Sequence, residues 1–358
     1  MRLRSVITAC AAAGTLVLAA PAAAAEPGTV QSTDDPLRSK QWGIEQIHAP
    51  EAWSESTGAG QVIAVVDTGV DLNHPDLKSQ LVPGATFVGC GQNPAPCGNG
   101  GWKGVDGKGQ PSDTHGTHVS GIAAAATDNG IGIAGVAPDA RIMPIKVLEG
   151  GSGSFTDIAA GIRYAADHGA DVINLSVGAL PGAQLLTLTG LQSAAKDAIA
   201  YAREKGVVVV AAAGNELSPL CATPSWESGA LCVTATDRNE FHSLYSNLGI
   251  KLDANSLAAP GGSAIQSCAE DVWSTVPRGT GSTECGSDNY DSFAGTSMAA
   301  PHVAGVAALL SAQGRTAAGV EQALLETART PLLEQTGLFT PLFGHGIVDA
   351  EAAVNQPL

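Results

Sequence analysis

Residues 293–305 read FAGTSMAAPHVAG. The run continues as Val-Ala-Ala-Leu-Leu to Leu310, with the composition of a helix. Ser297 therefore sits at a helix N-terminus, where unpaired N–H groups favour developing negative charge. The residues after it are mostly small, so the helix can lie inside a core and be crossed closely. Taken alone, Ser297 is better read as an ordinary N-cap serine.

Two further stretches bear on that choice. Residues 62–76 read VIAVVDTGVDLNHPD, an apolar β-branched run ending at Asp67. Residues 113–121 read DTHGTHVSG, with His115 leading into a small-residue helical run. Singly, Asp67 is a turn-capping Asp and His115 a helix-start His. Together they place Asp, His and Ser in that chain order, each at an element boundary in a Gly-rich context. That order is the one found in subtilisin, as opposed to two unrelated serine hydrolase orders. On these three motifs the chain resembles the subtilisin-like serine peptidases, with matches running from Trp42 to Ala353.

The pattern around the motifs is that of an α/β protein. Buried strands are predicted at Val62–Val66, Ile142–Val147, Val172–Leu175, Val207–Ala213 and Leu231–Ala235. Helices are predicted at His118–Ala126, Asp157–His168, Gln192–Lys205, Pro301–Gln313 and Thr316–Thr327. Near-continuous apolar strands alternating with helices indicate a mostly parallel sheet covered on both faces, a three-layer αβα arrangement. The resemblance implies about seven strands and one left-handed crossover. Residues 89–112 and 279–289 read as Gly-rich surface loops.

The N-terminus has a basic Met1-Arg-Leu-Arg4, an apolar stretch from Val6 to Ala20 and an Ala-rich end at Ala25. This is the form of a secretory signal peptide over 1–25, with Cys10 inside its apolar part. Cleavage after Ala24 or Ala25 would send the protein outside the cell. No later segment is long and apolar enough to serve as a membrane anchor. Residues 26–41 form a short extension with no room for the inhibitory prodomain that most exported relatives carry. Folding then needs no such segment, or help comes from elsewhere. With no linker or repeat, 42–358 reads as one catalytic domain, a monomer. The 18 basic and 34 acidic residues give a net charge of −16, which argues against nucleic acid or anionic lipid as partner.

Outside the signal stretch the chain has six cysteines, and six allow 15 connectivities. Closeness in sequence keeps closure entropy small and favours Cys90–Cys97, Cys221–Cys232 and Cys268–Cys285. Metal binding by these cysteines lacks a CxxC pair or a Cys/His cluster.

The chemistry follows from the motif set. Ser297 as nucleophile needs a base, and His115 is the candidate. Asp67 would hold the imidazole tautomer and stabilise the imidazolium. His118, one turn later, reads as a structural histidine. Residues 207–216 read VVVVAAAGNE; the resemblance makes the Asn215 side chain one oxyanion donor and the Ser297 N–H another. Asn215 as a plain turn residue after Gly214 is the alternative. A polypeptide substrate would add as a strand along Gly151-Ser152-Gly153 and Ser176-Val177-Gly178. By the resemblance, Leu148, Phe155, Ile158 and Val177 match positions that in the family line an apolar pocket four residues to the amino side of the scissile bond. Phe155 and Ile158 read also as core residues of an amphipathic helix. The pocket nearest the bond would be walled by Ser176–Gly178 and by Ala212, Ala213 and Gly214. No acidic residue stands there, so a strict Arg or Lys preference is not indicated.

The resemblance also implies a structural calcium ion, and no catalytic cofactor. Its matching ligands are Asp76, the Asn129 side chain and carbonyls of Thr127, Ile131 and Ile133, with Asp35 completing the shell. Oxygen-only ligation suits a hard cation. An ion-free Gly/Asn loop is the alternative. For function, an active exported endopeptidase stands against a catalytically silent binding protein of the same fold, and against a narrow processing peptidase. The intact Asp67, His115, Asn215 and Ser297 set favours an active enzyme.

Overall fold

The computed structural model describes residues 33–90, 95–104, 106–178, 194–263, 265, 267–331 and 335–358. The signal stretch 1–25 and the predicted helix start at Gln192 lie outside these residues.

Seven parallel strands form the central sheet in the order β2-β3-β1-β4-β5-β6-β7. They are β1 (Val62–Asp67), β2 (Ala85–Thr86), β3 (Arg141–Lys146), β4 (Val172–Leu175), β5 (Val208–Ala212), β6 (Ala230–Thr236) and β7 (Ser256–Pro260). The five apolar runs legible in the sequence are β1 and β3 to β6. The edge strands β2 and β7 escaped the pattern because one is two residues long and the other ends in proline.

Alternation along each strand divides the core into two layers. Ile63, Val65, Val208, Val210 and Val233 pack with the small-residue helices α3 (His115–Ala124) and α6 (Thr296–Ala312). Ala64, Val66, Ile173 and Val209 pack with the amphipathic helices α4 (Phe155–Asp167) and α5 (Ala194–Glu204). The outcome is three layers, αβα. Small residues let α6 run through the core: a Cβ on Gly305 would come within 2.6 Å of Val136.

Two helix starts lie well ahead of the predicted ones, while those at Phe155 and Ala317 differ by a residue or two. α3 begins at His115 rather than His118, because a 3₁₀ turn at Pro111–Thr114 feeds straight into it. α6 begins at Thr296 and carries Pro301 inside it.

An antiparallel hairpin, β8 (Val272–Thr275) with β9 (Tyr290–Phe293), leads into α6. Ser274 Oγ and Thr275 Oγ1 each donate to a carbonyl of α3, those of His118 and Thr117, at 2.7 Å. The hairpin thus sets the helix that starts with His115 against the helix that starts beside Ser297.

Candidate active site

The site lies at the carboxyl ends of the central strands, where open α/β sheets place their ligands. Asp67, the last residue of β1, is fully buried. Its Oδ1 accepts the Thr68 N–H at 2.6 Å and faces His115 Nδ1 at 2.8 Å. Gly116 lets α3 come this close, since a Cβ there would lie 2.4 Å from the Gly69 carbonyl oxygen. With Nδ1 on Asp67, the opposite edge of the ring is turned away from the sheet, and 27 % of the side chain stays exposed. Burial works to lower the His115 pKa. The Asp67 charge and hydrogen bond outweigh it and leave the imidazole above its ordinary value.

Ser297 is the second residue of α6 and half-buried. It is not a capping serine: the residue ahead of the helix is Gly295, and no side chain caps the end. No backbone carbonyl among the described residues accepts the Ser297 N–H. Pro301 has no N–H to give the carbonyl four residues back, and Ser176 Oγ donates to that Ser297 oxygen instead, at 2.8 Å. Ser297 Oγ donates to the Ser176 carbonyl at 3.3 Å rather than to His115. Rotation about χ1 is the change that would turn it to the imidazole.

Asn215 follows β5 and is exposed. Its Oδ1 accepts from Thr296 N (2.9 Å) and Thr296 Oγ1 (3.0 Å), which leaves the Nδ2 end as the free donor. His115, Asn215, Gly295, Ser297 and Met298 line one cavity. His115 also lines a second, with Gly151–Gly153, Ser176–Gly178, Leu148, Phe155 and Ile158 on its walls. The two form a cleft that meets at the imidazole.

The model of the subtilase family matches residues 58–346. This chain belongs to the subtilase family. It is 44% identical to thermitase of Thermoactinomyces vulgaris over 297 residues, 82% of this chain and 91% of that protein. Subtilisin Savinase of Lederbergia lenta is 38% identical over 320 residues, 88% and 99% of the two chains. Among solved structures, a protease from Pseudoalteromonas arctica superposes with a TM-score of 0.74 at 35% identity, covering 90% of this chain and 99% of that one. The protein is accordingly a serine endopeptidase, and its substrates are polypeptides.

In this subtilase the cleft brings together Leu148, Gly151–Gly153, Phe155, Ile158 and Ser176–Gly178. Ala212, Ala213 and Gly214 do not line it. Ala213 is packed against Cys221 and Cys232, and the Gly214 N–H donates to Thr296 Oγ1 at 3.1 Å. Glu216, Thr223 and Pro224 stand in that part of the wall. Thr223 and Pro224 lie within the loop closed by the Cys221–Cys232 disulfide. The other bridges are Cys90–Cys97 and Cys268–Cys285, and both cysteines of the latter line the cavity on the Met298 side.

Beneath the site, burial first of all holds His118 neutral, down at about 3, and His302 at about 4. His118 stacks on Phe293 with ring centroids 4.3 Å apart and sets its Nε2 3.2 Å from the Asp291 carbonyl oxygen. Both are packing histidines.

The loop 127–133 folds over two acidic side chains. Asp76 is fully buried; Oδ1 accepts from Asn129 Nδ2 at 2.8 Å and Oδ2 from the Ile133 N–H at 3.0 Å. Asp35 accepts the N–H groups of Asp128 and Asn129 at 3.0 and 3.2 Å. Burial pushes the Asp76 carboxyl up to about 6; hydrogen bonds from Ile133 and Asn129 oppose this and the Asp35 charge adds to it. Ile131 is at the surface, and the Thr127 hydroxyl is engaged with Ala125 and Gly135. No group of three or more His, Cys, Asp or Glu among the described residues is arranged to hold an ion. The donor chemistry nevertheless fits a hard cation. Two buried acidic groups repel beneath an exposed loop, and an Asn amide that now offers nitrogen to Asp76 would offer oxygen after a flip.

Several functional contacts were missed in the sequence. Thr296 anchors Asn215, and its place directly before Ser297 was a usable signal. Thr68, Asp113 and Lys146 form a bonded cluster beside the Asp67–His115 pair, and nothing in their local sequence marked them.

Proposed function

We propose that this subtilase cleaves peptide bonds through Ser297, His115 and Asp67, by way of an acyl-enzyme. The reading is carried by the 2.8 Å Asp67–His115 contact beside a serine at the start of a buried helix. His115 takes the Ser297 proton as the hydroxyl oxygen attacks the scissile carbonyl carbon. Asp67 holds the proton-bearing Nδ1 in place and stabilises the imidazolium. The tetrahedral oxyanion accepts hydrogen bonds from Asn215 Nδ2 and the Ser297 N–H. His115 then passes the proton to the leaving amine, and water repeats the sequence to release the acid. The substrate lies extended along Gly151–Gly153 and Ser176–Gly178, with an apolar side chain among Leu148, Phe155, Ile158 and Val177.

Export completes the proposal. Residues 1–25 act as a signal and are removed, and 42–358 is one catalytic domain, secreted as a monomer. No helix of the described residues is long and apolar enough to cross a membrane. Asp35, Asp76, Asn129 and the carbonyls of Thr127, Ile131 and Ile133 would hold a calcium ion that braces the loop, outside the chemistry.

A fluorophosphonate probe should label Ser297 in the purified protein, and Ser297→Ala should lose turnover by on the order of 10⁶-fold while staying folded. Near-wild-type turnover in that variant would overturn the assignment.

A further inference from the structure

Lys146 ends β3 and is one of the largest fully buried side chains. Nothing in the proposed chemistry uses it. Its Nζ donates to three carbonyls, those of Thr68 (2.7 Å), Leu148 (2.9 Å) and Trp102 (3.2 Å). It lies 3.8 Å from the Asp113 carboxylate, itself fully buried. No backbone N–H among the described residues donates to any of these three carbonyls. Burial opposes the charged form of this lysine, and the Asp113 charge acts first among those that support it. An apolar side chain would avoid that penalty but leave three carbonyls unpaired.

The partners of this pair are parts of the site. Thr68 follows Asp67, and its hydroxyl donates to the Asp113 carbonyl at 3.0 Å while accepting the Gly116 N–H at 2.9 Å. Asp113 stands two residues before His115. Its Oδ1 accepts the Gly150 N–H at 2.9 Å and its Oδ2 the Gln110 N–H at 3.1 Å. Leu148 lines the substrate cleft, and Gly150 adjoins the Gly151–Gly153 edge. One buried ion pair therefore ties together the exit of the Asp67 strand, the turn that delivers His115 and the edge that takes the peptide.

We propose that Lys146 and Asp113 are positioning residues that hold the Asp67–His115 pair in register with the peptide-binding edge. The proposal rests on the peptidase reading above and deepens it. Neither residue touches substrate. Lys146 sets the Thr68 and Leu148 carbonyls relative to each other, and Asp113 links the Gly150 N–H to the turn before His115. A single clamp thus couples alignment of the dyad to the shape of the edge.

The test compares full-length wild type, Lys146→Met, Lys146→Arg and Asp113→Asn, with rates normalised by active-site titration. Two peptide amides are used, one spanning only Ser176–Gly178 and one long enough to reach Leu148 and Gly151. Per titrated site, Lys146→Met should lose about 10–100-fold in kcat on both peptides, the effect of a small misplacement. KM should rise for the long peptide alone. Asp113→Asn should raise the long-peptide KM more than it lowers kcat, and Lys146→Arg should recover part of the kcat. Loss of stability alone would lower the titrated fraction and leave kcat and KM unchanged.

Amide exchange on the same proteins supplies a readout apart from activity. Exchange should quicken in 110–116 and 148–153 before the rest of the sheet. Wild-type kcat and KM per titrated site, with unchanged local exchange, would overturn the clamp. If Lys146→Met does not fold, Asp113→Asn and Lys146→Arg decide on the same readouts. If wild type neither turns over nor labels at Ser297, the peptidase reading fails, and local exchange alone judges the clamp.

Discussion

Asp67 and Asp76 lie nine positions apart on the same exit from β1, and both are fully buried. Their surroundings make them opposites. Asp67 faces an imidazole at 2.8 Å and raises its proton affinity. Among the described residues no cationic side chain faces Asp76; burial leads its rise to about 6, and the Asp35 charge adds to it. A buried carboxylate needs positive charge nearby. The first finds it in the chain, in the His115 imidazole that the proposed mechanism uses as its base. For the second, the calcium ion proposed for the loop would supply it.

The largest effect that can break this comparison is on Asp67. Asp67→Asn should lower kcat by about 10⁴-fold, because the tautomer is no longer held. It should also move the acid limb of the kcat/KM profile down in pH, since burial alone then acts on His115. In wild type that limb should lie above the ordinary histidine value of 6.5, the direction in which Asp67 moves His115. A limb that stays in place would show that Asp67 is not what raises it. Stability runs the other way. With a folded pKa above its unfolded value, His115 contributes stability that is whole below about 6.5 and lost as pH rises through the folded pKa. The enzyme should thus gain activity across the range in which this contribution falls away.

Asn215→Ala tests the oxyanion donor without touching either carboxylate. It should cost about 10²–10³-fold in kcat, roughly 2.7–4 kcal/mol, with KM little changed. A change confined to KM would make Asn215 a binding residue.

The smallest effect is on the loop. In protein inhibited to prevent self-digestion, calcium at a hundredfold excess over Kd should add about 2.7 kcal/mol to stability. Chelation should lower the melting temperature accordingly, and Asp76→Asn should melt at the same temperature with and without chelator. An identical wild-type melting curve in both conditions would leave the loop ion-free.

How much could be read in advance differs by region. The layered sheet was legible because strands buried on both faces are continuous apolar runs, as Val62–Val66 and Val207–Ala213 show. The Asp67, His115 and Ser297 motifs were legible because each sits at an element boundary with small neighbours that permit close approach. The cysteine partners lay close enough in sequence for proximity to indicate the bonds present in the structure. Ala212–Gly214, which the resemblance placed in the pocket wall, stand outside the residues that line the cleft. Burial of Ala213 beside a disulfide and the contact of Gly214 with Thr296 are products of packing.

By itself, then, the order of residues determined the layers, the chain order of the motif residues and the sign of the net charge. These depend on local pattern and composition. Only the tertiary structure decided that Ser297 turns to the Ser176 carbonyl and that Asn215 is anchored by Thr296. It alone brought a lysine from β3 under residues 68, 102, 113 and 148. Each of these depends on hydrogen bonds among segments distant in the chain. Such bonds form only where the fold has already paired carbonyls, amides and charges away from water.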